Sequence, residues 1–371
     1  MPKDEPGQDG QTVSLAMTSR RQALGAMTVA GTLGAAAPAL AAGSDAHALH
    51  FADPAPRPVP RGDLVNVLEY EVQARQALGA AKIAPIAGSD RTVTDRITLR
   101  PRMNIPTRDL DLTATLFGDA HFTPIIVGPM ADQKRFHPEG EVAMARGASA
   151  ARAAMVISSE SSMPLAAIAQ AATTPLYLQV YAGSPRLKSM LAEAGSKAKA
   201  VFVTVNAKPG GPAPLDWAGV EAAVKATSLP VIVKGITSPD EARQAVAHGA
   251  RGVVVSNWRG GNAALPGTLL SIAPVVQAVG DRVTVLADGS FRRGTDIVKA
   301  LAFGAKGVLV GRPVMWGLAA YGADGVQGVV EMLQTETARY MCMCGRPSLA
   351  AVDSSLVRVH APLPPVKTRH A

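Results

Sequence analysis

Eight short apolar runs, separated mostly by alanine-rich stretches with helical spacing, constrain this chain more than any other feature. The runs lie at Thr123–Val127, Ala154–Ser158, Leu176–Tyr181, Ala200–Asn206, Val231–Lys234, Gly252–Ser256, Val283–Ala287 and Gly307–Val310. Helical patterns between them include Glu139–Ala151, Ser184–Ala194, Trp217–Thr227, Asp240–His248, Gly267–Val279 and Thr295–Phe303. Short strands alternating with helices imply a parallel sheet, and eight such units predict an α/β chain folded as a (β/α)8 TIM barrel. An open doubly wound sheet is the runner-up, but no Gly-x-Gly-x-x-Gly opens the first unit. With 371 residues, 47% hydrophobic but only 4% aromatic, the chain can build one large aliphatic core without a second domain.

The last two runs lead straight into glycine and arginine: Asp288-Gly289-Ser290-Phe291-Arg292 and Gly311-Arg312-Pro313. Glycine lets backbone approach a ligand, its N–H groups suit phosphate oxygens, and arginine adds forked, charge-assisted donors. In an eight-stranded barrel the usual anion site follows strands 7 and 8, at the N-terminus of a short extra helix, here Pro313–Tyr321. The other strand ends carry Gly128-Pro129-Met130-Ala131, Ser158-Ser159, Gln179-Val180-Tyr181, Thr204-Val205-Asn206, Lys234-Gly235 and Ser256-Asn257-Trp258. Singly, such residues are helix caps more often than ligands. Together they form a polar rim suited to a flat, hydrogen-bonding heterocycle attached to a phosphate.

The formal charge of +8 is spread without a basic run or interleaved aromatics, which argues against nucleic acid and suits a small, anionic organic substrate. Residues 1–41 read as a twin-arginine export signal: Arg20-Arg21, a mildly apolar run too short and polar to span a membrane, and the small-residue site Ala39-Leu40-Ala41. The expected location is therefore periplasmic or secreted. A Pro/Ala/Asp-rich tether follows over 42–62, and the barrel domain, 63–371, opens with a helical extension whose plausible stop is Gly79. Cys342 and Cys344 are too close on the last helix for an unstrained disulfide and read as small core residues; no Cys/His spacing suggests a metal.

From about Asp63 to Leu356 the sequence resembles the FMN-dependent 2-hydroxy acid oxidase and dehydrogenase family, which includes glycolate oxidase and lactate oxidase. The motifs are Gly128-Pro129-x-Ala131, His137-Pro138-Glu139-Gly140-Glu141, Ser158-Ser159, Gln179-x-Tyr181, Lys234-Gly235, Ser256-Asn257, Asp288-Gly289-x-x-Arg292-Arg293-Gly294-Thr295-Asp296 and Gly311-Arg312-Pro313. The resemblance implies FMN as cofactor. Pro129, Ala131, Ser158, Gln179 and Thr204 match positions around the isoalloxazine ring, and Lys234 matches a lysine beside flavin N1, where positive charge stabilises reduced flavin. Ser256 matches another flavin-side contact, while Asp288, Gly289, Arg292, Gly311 and Arg312 match the ribityl and phosphate site. Met130 stands where a threonine is usual.

The substrate half departs from the pattern. Where the family reads Ser-Asn-His-Gly-x-Arg-Gln, this chain reads Ser256-Asn257-Trp258-Arg259-Gly260-Gly261-Asn262. An indole accepts no proton at neutral pH, so Trp258 cannot act as the family's histidine base. The clamp position is Gly261, with Arg259 near enough in sequence to bind substrate instead. The family's histidine-pairing aspartate becomes Asn206, its long lid becomes Pro209-Gly210-Gly211-Pro212, and its substrate tyrosine aligns with Ala84; Tyr181 alone survives. A neutral Asn206 avoids an unpaired buried carboxylate once the imidazole is gone, so the two changes fit together.

Asp132 and Glu160 are candidate replacement bases, with His137 and Lys208 further off; each also reads as a loop charge or cap partner. Three readings stay open: a flavin oxidoreductase with altered substrate or mechanism, an exported flavin-binding protein serving as partner or electron carrier, and a flavin-free phosphate-binding barrel. The substrate, the electron acceptor and any homo-oligomeric state are not specified by these residues.

Overall fold

The computed structural model describes residues 59–88, 91–102, 105–195, 197–258 and 268–361. The leader with Arg20 and Arg21, most of the tether, and the run from Arg259 to Asn262 lie outside the described residues. The eight apolar runs fold as β1 (Ile125–Val127), β2 (Ala154–Ser158), β3 (Leu176–Tyr181), β4 (Val201–Thr204), β5 (Val231–Ile236), β6 (Gly252–Val255), β7 (Thr284–Asp288) and β8 (Gly307–Val310). Each pairs in parallel with its sequence neighbours, and β8 pairs with β1 to close the barrel.

Two apolar layers hold this barrel, and strand alternation sorts residues between them. Outward-facing Ile125, Val127, Met155, Leu178, Val203, Val233, Val255 and Val310 pack under the surrounding helices. Inward-facing Ile126, Val156, Tyr177, Phe202, Ile232, Val254, Leu286 and Leu309 fill the lumen. An antiparallel hairpin, Ala114–Leu116 with Asp119–His121, adds Ala114 and Leu116 to the lumen cluster. Its His121 Nε2 and Tyr177 Oη lie 3.0 Å apart. Gly252 and Gly307, which begin β6 and β8, make room for this hairpin: a Cβ on Gly252 would lie 3.1 Å from the Phe117 ring.

The helices are α1 (Val67–Ile83), α2 (Gly140–Ala150), α3 (Leu165–Ala171), α4 (Leu187–Ala194), α5 (Trp217–Ala226), α6 (Pro239–Ala247), α7 (Leu269–Val279), α8 (Gly294–Ala302) and α9 (Arg312–Met343). The extra helix expected at Pro313–Tyr321 is the first limb of α9, which breaks at Tyr321 and Gly322, the latter with φ +60. In α1, Gly79 (φ +74) marks a break as its sequence position suggested, but helix resumes to Ile83. α3 had no counterpart among the singled-out helical patterns. Strand ends differ from the sequence runs by at most two residues. Asn206 falls outside β4, where its Nδ2 donates to Gly235 O across to β5 (3.2 Å). β5 runs on past Lys234 through a register irregularity at Gly235. The Pro209–Pro212 segment is a tight hairpin, with Ala207–Lys208 pairing Gly211–Pro212. Ile97–Leu99 pairs antiparallel with Val357–Val359, and both cysteines are free thiols. Among the described residues no helix is long and apolar enough to cross a membrane.

Candidate active site

The polar rim follows from the same alternation that fills the lumen. Two residues beyond Val156, Tyr177, Phe202, Ile232, Val254 and Leu286, the chain places Ser158, Gln179, Thr204, Lys234, Ser256 and Asp288. Each continues the inward face of its strand at the C-terminal end, where barrel chemistry is located. These groups are buried or half-buried and satisfy one another. Ser158 Oγ donates to Gln179 Oε1 (3.2 Å), and Gln179 Nε2 donates to Thr204 Oγ1 (3.0 Å). Lys234 Nζ lies 2.6 Å from Asp288 Oδ2 and donates to Ser256 Oγ at 2.9 Å. Removing one partner of so buried an ion pair leaves an uncompensated charge, worth roughly 3–5 kcal/mol.

Arg292 and Arg312 converge one helix apart. Arg292 Nη2 donates to Gly88 O (3.0 Å), and Arg312 Nη1 donates to the same oxygen (2.7 Å). Arg292 is 2% exposed, its guanidinium lies 4.8 Å from the Trp316 ring centre, and its Nε is buried without a hydrogen-bond partner. Burial, and then the neighbouring Arg312 cation, push the Arg292 guanidinium down to about 9. Two cations held against one neutral carbonyl, one with an unused donor, match a phosphate dianion. At Gly311 a Cβ would lie 3.0 Å from Met130 Sδ, so glycine keeps the approach open. Asp296 sets the turn carrying Arg292: it accepts from the Arg292 and Arg293 N–H groups, each at 2.9 Å, and from both Nη atoms of Arg91. A phosphate-bearing flavin therefore fits the residues present, with cradle at one end and amide, hydroxyls and lysine at the other.

The side of the rim that the resemblance assigns to substrate is less tightly bonded. The Tyr181 and Trp258 rings lie 6.5 Å apart and tilted by 33°, and Lys234 Nζ lies 5.5 Å from the Trp258 ring centre. Trp258 is 38% exposed. Burial, and then the charge of Glu160, push the Tyr181 phenol up to about 12, so at neutral pH it is a hydrogen-bond donor. Asn206 is buried with Oδ1 unpartnered. Glu160 is ion-paired to Arg186 at 2.7 Å, which occupies one of the two candidate bases. Asp132, the other, is exposed in left-handed backbone (φ +49). Arg259 lies outside the described residues, and Ala131 and Pro129 sit in the loop after β1 as expected. No group of His, Cys, Asp and Glu suited to a metal occurs among the described residues.

Sequence reading missed three contacts of this site. Asp288 was assigned to the ribityl end, yet it also pairs with Lys234. Gly88, after the Ala84–Ala87 segment, supplies the carbonyl on which both arginines converge. Trp316 Nε1 donates to Ile86 O (2.8 Å), tying that segment to α9. All three join residues far apart in sequence, and no local pattern announces them.

Fold and site together define a flavin-type barrel oxidoreductase. A family model for FMN-dependent dehydrogenases matches residues 79–211 and 210–359, and the chain belongs to that family, whose cofactor is FMN. A rice (Oryza sativa subsp. japonica) peroxisomal (S)-2-hydroxy-acid oxidase is 34% identical over 349 residues, covering 79% of this chain and 95% of the relative. Spinach (Spinacia oleracea) glycolate oxidase is 32% identical over 351 residues, with 79% and 95% covered. Among solved structures, a mandelate oxidase variant with 2-hydroxy-phenylacetamide superposes with TM-score 0.75 at 33% identity, covering 80% of this chain and 99% of that one.

Proposed function

We propose that the protein is an FMN-dependent oxidoreductase that acts on an organic donor by an acid–base scheme different from that of its hydroxy acid oxidase relatives. The observation that carries this reading is the buried Lys234–Asp288–Ser256 cluster beside the Tyr181–Trp258 pair. It supplies positive charge for a flavin ring but no proton acceptor of imidazole type next to it. FMN, when bound, supplies the two-electron acceptor. Arg292, Arg312 and the Gly289 and Gly311 backbone would hold its phosphate and ribityl chain; Pro129, Ala131, Ser158, Gln179, Thr204 and Ser256 would hold the ring.

The remaining roles belong to the side chains. Lys234 keeps a cation at the ring end, with Asp288 moderating its field. Tyr181, protonated at neutral pH, donates a hydrogen bond to a substrate oxygen. Trp258 offers an apolar wall and an N–H donor, and it takes no proton. Asn206 offers an acceptor without charge. Proton removal then falls to Asp132, to Glu160 released from Arg186, or to water, with Arg259 as a candidate substrate clamp.

The absence of an imidazole-type acceptor at Trp258 also favours a second reading, an exported flavin-binding protein with a partner or electron-transfer role and no hydroxy acid turnover. The visible spectrum of purified mature protein tests the cofactor, and anaerobic screening of organic donors separates the two readings. A colourless protein that cannot be reconstituted with FMN would sink both. Export through the twin-arginine route is part of the proposal. Arg20→Lys with Arg21→Lys should leave precursor in the cytoplasm, because that receptor reads the arginine pair and not merely charge.

A further inference from the structure

The motif His137-Pro138-Glu139-Gly140-Glu141 has no role in the reading of the site above, yet it ends in a carboxylate with no exposed surface. Glu141 stands in the first turn of α2. Its Oε1 accepts from Gln133 N (3.1 Å) and Ser162 N (2.9 Å), and its Oε2 accepts from Ser162 Oγ (2.6 Å). Gln133 follows β1 and Ser162 follows β2, so one side chain joins two strand-end loops. Two further bonds reinforce the joint: Lys134 N donates to Ser162 Oγ (3.0 Å) and Asp132 N donates to Glu160 O (3.0 Å). Gly140 fits the same assembly. It has φ +44, and a Cβ there would lie 3.0 Å from Lys134 Cγ and 3.3 Å from Ser162 Oγ.

The geometry points to Glu141 as a positioning residue, a buried staple that fixes the loops after β1 and β2 so that Ala131 and Ser158 meet the cofactor in register. The role rests on the FMN reading for its purpose but not for its existence. A buried carboxylate persists when several donors face it, and three do here. Shape, not charge, performs the task. Both backbone donors reach the same oxygen, Oε1, which a glutamine carbonyl reproduces. The Ser162 hydroxyl can rotate to accept from the glutamine amide instead of donating to Oε2.

Glu141→Gln, Glu141→Ala and Ser162→Ala therefore separate the staple from a generic core contact. In the FMN-free protein, hydrogen exchange at the Gln133 and Ser162 amides should accelerate in Glu141→Ala and stay near wild type in Glu141→Gln. FMN affinity, followed by flavin fluorescence, should fall roughly tenfold or more in Glu141→Ala, a loss typical of a loosened supporting shell, with the visible circular dichroism of bound flavin altered. Glu141→Gln should retain both properties. If Glu141→Ala fails to fold, Ser162→Ala carries the test through faster exchange at Lys134. Unchanged exchange and flavin signals beside a lowered melting temperature would overturn the staple, as would a Glu141→Gln variant as impaired as the alanine. If wild-type protein takes up no FMN, the cofactor reading fails while the exchange measurement still decides the staple.

Discussion

The two sides of the barrel mouth draw on successive residues of the same strand ends and differ in how those residues are satisfied. On the cofactor side Ser158, Gln179 and Thr204 form a chain, and Lys234 closes on Asp288 and Ser256. On the substrate side Asn206 keeps an unpartnered oxygen and Trp258 stands half-exposed beside Tyr181. A fully satisfied buried network specifies one geometry. An aromatic pair with an amide specifies shape and leaves proton transfer unassigned. Because the two sides occupy successive positions of the same strand ends, Gln179 and Tyr181, Thr204 and Asn206, Ser256 and Trp258, one set of residues can change while the barrel and the other set stay intact.

The sharpest way to break this contrast is to supply a hydroxy acid. With no imidazole at Trp258, glycolate, lactate or mandelate should reduce bound flavin about a hundred- to ten-thousand-fold more slowly than expected with a general base in place. Trp258→His alone should recover little, since Asn206 cannot stabilise an imidazolium and Gly261 cannot hold a carboxylate. The triple variant with Asn206→Asp and Gly261→Arg should recover more than the single changes combined, as expected of groups that act as a unit. Anaerobic stopped-flow absorbance is the measurement. Rapid bleaching of the unmodified protein by lactate would place a working base on Asp132, Glu160 or another group, each testable as its amide.

The cofactor side is tested at its cradle. Arg312→Ala should weaken FMN binding by roughly 1.5–3 kcal/mol, the range for a hydrogen bond to a charged group, read by titration calorimetry. Arg292→Ala should cost at least as much, because Arg292 is the more deeply buried of the two cations and its Nε has no hydrogen-bond partner within the protein. Unchanged affinity in both would mean that phosphate is held elsewhere.

That contrast also explains what the sequence could disclose. The barrel was legible because strand and helix periods are local, and the inward polar layer because it sits at the strand ends, two residues past six of the eight lumen residues. Arg292 and Arg312 stood out because glycine precedes arginine at a strand end. Contacts between distant segments were not legible: the Leu116 hairpin in the lumen, the Gly88 carbonyl shared by two arginines, and the Lys234–Asp288 pair. Glu141 belongs to a sequence motif, but only the fold shows that its carboxylate joins two loops. Glu160 reads as a free base in the sequence, but Arg186, 26 residues on, pairs with it in the fold.

The seam between the two sides runs through Gly235. A Cβ there would lie 2.3 Å from Asn206 Oδ1, and the backbone has φ +107. Gly235→Ala should destabilise the protein by roughly 1–3 kcal/mol through strain and displacement of Asn206. Gly210→Ala, with φ +81 but open space around it, should show the backbone part alone. Urea unfolding of both variants yields the difference, and equal losses would mean that Asn206 moves freely and is not fixed by its contact with Gly235.

The smallest effect concerns Tyr181, and pH exposes it. The phenol titrates near 12 in the folded chain, pushed up by burial, against about 10 when unfolded. Between these values the unfolded chain has released its proton while the folded chain still holds it, so stability present below pH 10 is lost as pH rises toward 12. Tyr181→Phe should remove that share of the alkaline decline while changing stability little near pH 8. Tyr177, also raised by burial, contributes to the same window, so Tyr181 is read as the difference between wild type and variant. The same substitution removes the donor proposed to face substrate. If the alkaline decline is unaltered, Tyr181 already ionises near 10, and its role as a protonated donor would be confined to lower pH.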